Sequence, residues 1–248
     1  MAIMKNFKII LEYDGTKYNG WQKQGNTKNT IEYKFLEILK KLTGKNIEIF
    51  ASGRTDSGVH AKGQVANFKI ETDMSDDEIL KYINTYLPED IRVLSCTEEN
   101  ERFHSRLNAK KKTYMYRIYQ GKPPVFERKY VYSADCIFDI DAMKKASKYF
   151  LGKHDFKSFC TKQKMKKSTV REIYSLDIVQ KDREIDIIIC GNGFLYNMVR
   201  IIAGTLLAVG KGQISADTIP EIIKAQNREK AGETLPPTGL CLLSVQYS

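Results

Sequence analysis

Apolar and polar positions along the chain change period several times, and each change marks an element. Phe7 to Tyr13 alternates as a strand and runs into a polar, Gly-containing loop over Asp14 to Asn29. Ile31, Phe35, Ile38, Leu39 and Leu42 then form one helical stripe; Asn29 and Glu32 have the spacing of a capping box, and Gly44 stops the helix. Strands are predicted over Ile47 to Ser52 and Gln64 to Ile70, with a turn-rich stretch between them. Ser75 and Glu78 open a second helix with Ile79, Leu80, Ile83 and Leu87 on one side; Pro88 ends it, and Ile91 to Cys96 is a further strand. The order β-α-β-β-α-β is the split βαβ, or ferredoxin-like, arrangement.

The second half repeats this order without repeating the sequence. Lys112 to Gln120 alternates as a strand, Asp141 to Leu151 is helical up to Gly152, and Val170 to Gln180 pairs with Glu184 to Cys190 across a turn near Lys181 and Asp182. Phe194 to Val209 is predicted as a strongly apolar helix, Ser215 to Gln226 as a shorter one, and Leu240 to Tyr247 as a closing strand. The expected fold is α+β: two ferredoxin-like (RRM-like) halves, residues 1–104 and 105–248, forming a long, mainly antiparallel sheet with helices on one face and a central cleft.

Composition narrows the partners. The 248 residues carry a net charge of +10, which favours polyanions, because Lys and Arg that neutralise phosphates release counterions. The 5 cysteines are far apart, with neither zinc-knuckle nor redox spacing. Lys5, Lys8 and Glu12 interrupt the N-terminal apolar residues, and the longest apolar runs are too short to span a bilayer. A cytoplasmic protein with reduced thiols and no membrane association is expected. No P-loop, dinucleotide fingerprint or metal-ligand cluster appears in the sequence.

The candidate chemistry lies between the two central strands of the first half, in Gly53-Arg54-Thr55-Asp56-Ser57-Gly58-Val59-His60-Ala61 followed by Gly63-Gln64. A lone Asp-Ser-Gly would be an ordinary turn. Turn geometry asks for nothing like Arg54, Thr55, Val59, His60 and Gln64 together, and this string resembles the active-site motif of the TruA-type tRNA pseudouridine synthases. Shorter strings in matching order resemble the same family: Glu12 to Gly15, Tyr18 to Gln24, Phe103 to Arg106, Gly152 to Phe156 and Gly193 to Arg200.

The resemblance implies a tRNA-binding homodimeric isomerase acting on uridines at positions 38–40 of the anticodon stem-loop, with Asp56 as catalytic residue and no cofactor. It gives Arg200 the role of the cation paired with Asp56, although periodicity alone would bring Arg200 to the helix surface. Tyr114, which shares a strand face with Tyr116, becomes the ring that packs on the target uracil. Arg54 is placed to hold the displaced nucleotide, and Thr55, His60, Lys110, Lys111 and Lys112 join it as substrate-binding residues. The basic run Lys162, Lys164, Lys166, Lys167 and Arg171 is expected on RNA phosphates, while Trp21, His104 and His154 read as packing or bracing residues. Glu32 and Tyr33 stand where the family often has Gln, which bears on the choice of RNA. A relative acting on ribosomal RNA and a non-catalytic RNA-binding protein are the alternatives, and a metal-dependent hydrolase is a third.

Overall fold

Residues 3–162 and 168–247 are described by a computed structural model. They fall into two compact units, one comprising residues up to Lys110 with those from Leu242 on, the other Lys111–Cys241.

The first unit runs β1 (Ile3–Tyr13), α1 (Ile31–Thr43), β2 (Ile49–Ala51), β3 (His60–Thr72), α2 (Asp76–Tyr86) and β4 (Ile91–Glu99). Strand β1 lies between β4 and β3, antiparallel to both, and β2 adds to β3 with Ala51 opposite Ala66. Phe7, Ile9, Leu11 and Tyr13 alternate into the core, and Phe35, Ile38, Leu39, Ile79 and Ile83 of the two helices are buried with them. The Ser75–Glu78 capping box forms. The one expected at Asn29 does not: Thr30 caps α1 through its hydroxyl, and Glu32 is used elsewhere.

The boundary falls later than the 104/105 division read from the sequence. Buried Asn67 donates to the Asn6 side-chain oxygen at 3.0 Å, Asn6 donates to the carbonyls of Asn100 (2.9 Å) and Phe103 (3.0 Å), and Ser105 N–H donates to Asn67 at 2.9 Å. This network fastens residues 100–105 to the first sheet. From the chain's other end, the Tyr247 hydroxyl donates to the Ser105 carbonyl at 2.8 Å, and Lys110 N–H donates to the Gln246 carbonyl at 2.8 Å. Satisfying buried amides in this way ties a charged, strand-poor segment to the sheet.

The second unit has β5 (Lys111–Gln120), β6 (Tyr132–Ala134), α3 (Ile140–Ser147), β7 (Gly152–Asp155), β8 (Val170–Lys181), β9 (Glu184–Gly191), α4 (Met198–Gly210) and α5 (Ile219–Ala225); the strand β10 (Leu240–Gln246) begins in it. The sheet order is β5-β9-β8-β7, antiparallel throughout, with β6 added parallel to β5. Short β6 and β7 were not expected, having only three and four residues on which to show a period. Helix α4 starts at Met198 rather than Phe194, because Asn197 takes a left-handed conformation (φ 62°) that ends the preceding turn. Both units combine β-strands with helices as the α+β reading expects. Among the described residues no helix is long and apolar enough to cross a membrane.

Candidate active site

The loop between β2 and β3 carries Asp56, and its base is closed by one side chain. Gln64, fully buried, accepts from the Ser52 hydroxyl (2.8 Å) and from Val65 N–H (3.1 Å), and donates to the Gly53 carbonyl (2.9 Å). An amide carries both acceptor and donor, which a carboxylate or an ammonium does not. The loop then folds against residues 14–21. The Thr55 hydroxyl meets the Tyr13 hydroxyl at 2.8 Å, and the Thr55 carbonyl accepts from Trp21 N–H at 3.1 Å. The Ser57 hydroxyl and Gly58 N–H both donate to the Tyr18 carbonyl, and Val59 N–H donates to the Asp56 carbonyl at 3.1 Å.

Two glycines permit the fit. A Cβ on Gly15 would lie 2.0 Å from the Val59 carbonyl oxygen. Gly20 has φ +84°, and a Cβ there would lie 2.6 Å from the Thr55 oxygen. Neither approach is open to another residue. Trp21 lies behind the loop, fully buried against Phe35 and Tyr13. Glu32, at the start of α1, accepts from Lys23 N–H and from the Gln22 side chain, both at 2.5 Å, and so anchors the neighbouring loop.

Asp56 is half-buried and Arg54 exposed, whereas Thr55 and His60 are buried. His60 Nδ1 accepts from Gly15 N–H at 3.1 Å and lies 3.2 Å from the Asp14 carboxylate, so both buried residues bear on the site through the loop they brace. Burial, and then the charge of Arg54, hold the Arg106 guanidinium below its ordinary pKa, with Glu32 opposing. Arg54 and Glu32 thus both act electrostatically on Arg106.

In the second unit, Tyr114 is buried on β5 opposite Ile189, and its ring meets Phe194 edge-on at 5.2 Å. Tyr116, on the same face, donates to the Pro236 carbonyl at 2.8 Å. Burial drives the Tyr116 hydroxyl pKa far up, and the Arg200 charge opposes it. Half-buried Arg200 donates through Nε to the Leu235 carbonyl (2.6 Å) and through a terminal nitrogen to the Asn197 side chain (2.9 Å). Its guanidinium is therefore held in one orientation from the first turn of α4. Periodicity had brought Arg200 merely to the helix surface; the left-handed turn at Asn197 is what gathers these partners.

Arg54, Thr55 and Asp56 therefore share one loop of the first unit, His60 opens the strand that follows it, and exposed Lys110 belongs to the same unit. Tyr114 and Arg200 belong to the second unit, as do half-buried Lys112 and exposed Lys111, whose ammonium lies 5.4 Å from the Tyr174 ring centroid. Of the basic run, Lys162 is exposed and Arg171 donates to the carbonyls of Ser168 and Val170; Lys164, Lys166 and Lys167 lie outside the described residues. Tyr13, Gly15 and Gly20 were not assigned to the site from the sequence. The signal for them was the pair of glycines bracketing an otherwise polar loop, which reveals close approach only once its partner is known.

A family model described as tRNA pseudouridine synthase matches residues 9–108 and 146–248. The protein named tRNA pseudouridine synthase A 2 of Clostridium perfringens is 47% identical over 98% of this chain and 100% of its own length. The tRNA pseudouridine synthase A of Caldicellulosiruptor bescii is 46% identical over the same shares. A chain in a solved Cbf5-Nop10-Gar1 complex is similar at a TM-score of 0.37 and 14% identity, covering 72% of this chain and 41% of that one. By the extent of the family match and the full-length likeness to these relatives, the chain belongs to the tRNA pseudouridine synthase family.

Proposed function

We propose that this protein isomerises uridine to pseudouridine at positions 38–40 of the tRNA anticodon stem-loop, with Asp56 as its catalytic carboxylate. Family membership supports the reaction. The observation that carries the role of Asp56 is its loop: Thr55 is fastened through hydroxyl and carbonyl, and Val59 closes on the carbonyl of Asp56 itself. The backbone that carries the carboxylate is fixed in this way before substrate arrives.

In the reaction the N1–C1′ bond breaks and a C5–C1′ bond forms. The proton lost from C5 is matched by one gained at N1, so substrate and product are isomers. A paired target base must first leave its stack, at a cost of a few kcal/mol. Exposed Arg54 is the group that holds the displaced nucleotide, with Lys110, Lys111 and Lys112 on the flanking phosphates. Asp56 acts while ionised, and the role given to Arg200 is that of the cation that favours this form. Tyr114 packs on the uracil. The same reading makes the protein a cytoplasmic homodimer, which a mass measurement in solution checks.

Incubating purified protein with unmodified tRNA transcripts and ribosomal RNA fragments, then mapping pseudouridine, tests the proposal. Product in the anticodon arm of tRNA is expected. Product confined to ribosomal RNA overturns the substrate, and none in either overturns the activity.

A further inference from the structure

The loop joining β5 to β6 holds the most exposed large apolar side chain among the described residues. Phe126 is 90% exposed and its neighbour Val125 65%. The ring of Phe126 makes no aromatic or cation contact among the described residues. Yet the loop beneath it is firmly built. Glu127 and Arg128 N–H both donate to the Pro124 carbonyl at 3.0 Å, Tyr130 N–H donates to Glu127 at 2.8 Å, and the Arg128 side chain donates to the Val125 carbonyl. Glu127 pairs with Arg117 at 3.1 Å, and Gly121 N–H donates to the Ala134 carbonyl at 2.8 Å. A soluble chain seldom fixes a bare phenylalanine on a braced turn unless something covers it.

The charges beside it indicate what does. Lys122, Arg128 and Lys129 are exposed around the tip and outnumber the one acid of the turn, Glu127, which pairs with Arg117 at 3.1 Å, a cation it shares with Glu184 at 2.6 Å. A two-fold contact centred on this tip would set the same cations against their own copies. A polyanion with stackable bases satisfies both ring and cations. We infer that the 122–130 turn is a second RNA contact, in which Phe126 stacks on an unpaired base and Lys122, Arg128 and Lys129 engage the adjoining phosphates. The loop leaves β5 after Gln120, six residues from Tyr114, and returns at Tyr132 opposite Ile118, four residues or about 13 Å from it; beside the tip, Glu127 meets Arg117, which strand alternation sets on the face opposite Tyr114. The base at Phe126 is therefore not the one at Tyr114. The inference rests on RNA as substrate.

The test compares tRNA binding by wild type, Phe126→Ala, Phe126→Trp and a Lys122→Ala/Lys129→Ala double variant. Phe126→Ala should raise Kd about tenfold, as loss of one stacked base does, while Phe126→Trp binds like wild type. The double variant should lower the slope of log Kd against log salt by roughly two. The rate at saturating tRNA should be unchanged in all of them. Unaltered Kd and slope overturn the inference. So does a fall in solution mass for Phe126→Ala with tRNA affinity intact, which would give the surface to a second copy. A wild type that binds tRNA without forming pseudouridine sinks the proposed reaction while leaving this comparison in force.

Discussion

At the scale of single residues, the three side chains proposed for catalysis are restrained in different ways. Asp56 has its backbone fixed by the loop, Arg200 is held by two hydrogen bonds, and Tyr114 packs against Phe194. Tyr114→Phe keeps the ring and its packing, so tRNA affinity should hold. Turnover should drop about a hundredfold, the loss expected where a hydroxyl takes part in proton transfer; full activity would leave Tyr114 only its packing on the uracil. Arg200→Ala leaves the Leu235 carbonyl without its 2.6 Å donor, so it should lower both the melting temperature and kcat. Arg200→Lys should rescue only part of either, since an ammonium does not reproduce the guanidinium fork. A variant as stable and active as wild type would contradict the role given to Arg200.

At the scale of elements, what could be read in advance was whatever has a local cause. Ser75 and Glu78 cap α2 because both partners lie within four residues. Asn29 and Glu32 have the same spacing and fail because Glu32 is claimed by Lys23 and Gln22, and no local pattern reports that competition. The start of α4 was misplaced for a related reason: Phe194 and Leu195 are apolar enough to continue the helix, but Asn197 turns the backbone. The Asp56 string was readable as a motif, while its closure by Gln64 and its interlock with Gly15 and Gly20 depend on strand pairing. Two glycines with similar backbone now separate site from scaffold. Gly44 has φ +70° with open space around it, and Gly20 has φ +84° with the Thr55 oxygen in the way. Gly44→Ala should cost about 1 kcal/mol of stability and leave activity intact, whereas Gly20→Ala should cost more and also lower kcat. Thermal melts with single-turnover rates check this, and equal activity losses in both variants would refute the interlock.

At the scale of the whole molecule, an excess of 10 positive charges accompanies an exposed Arg54, exposed Lys110 and Lys111, and the basic turn at 122–130. Four or more phosphate contacts among them predict a steep loss of tRNA affinity with salt, log Kd rising by about 0.9 per contact for each decade. A flat salt dependence would remove the polyanion from the account. The central claim is that one oriented carboxylate converts a bound uridine. Asp56→Asn tests it most directly, because the amide keeps the shape and removes the charge. Pseudouridine formation on an unmodified tRNA transcript should disappear while the tRNA still binds. Product accumulating at the wild-type rate would contradict the account.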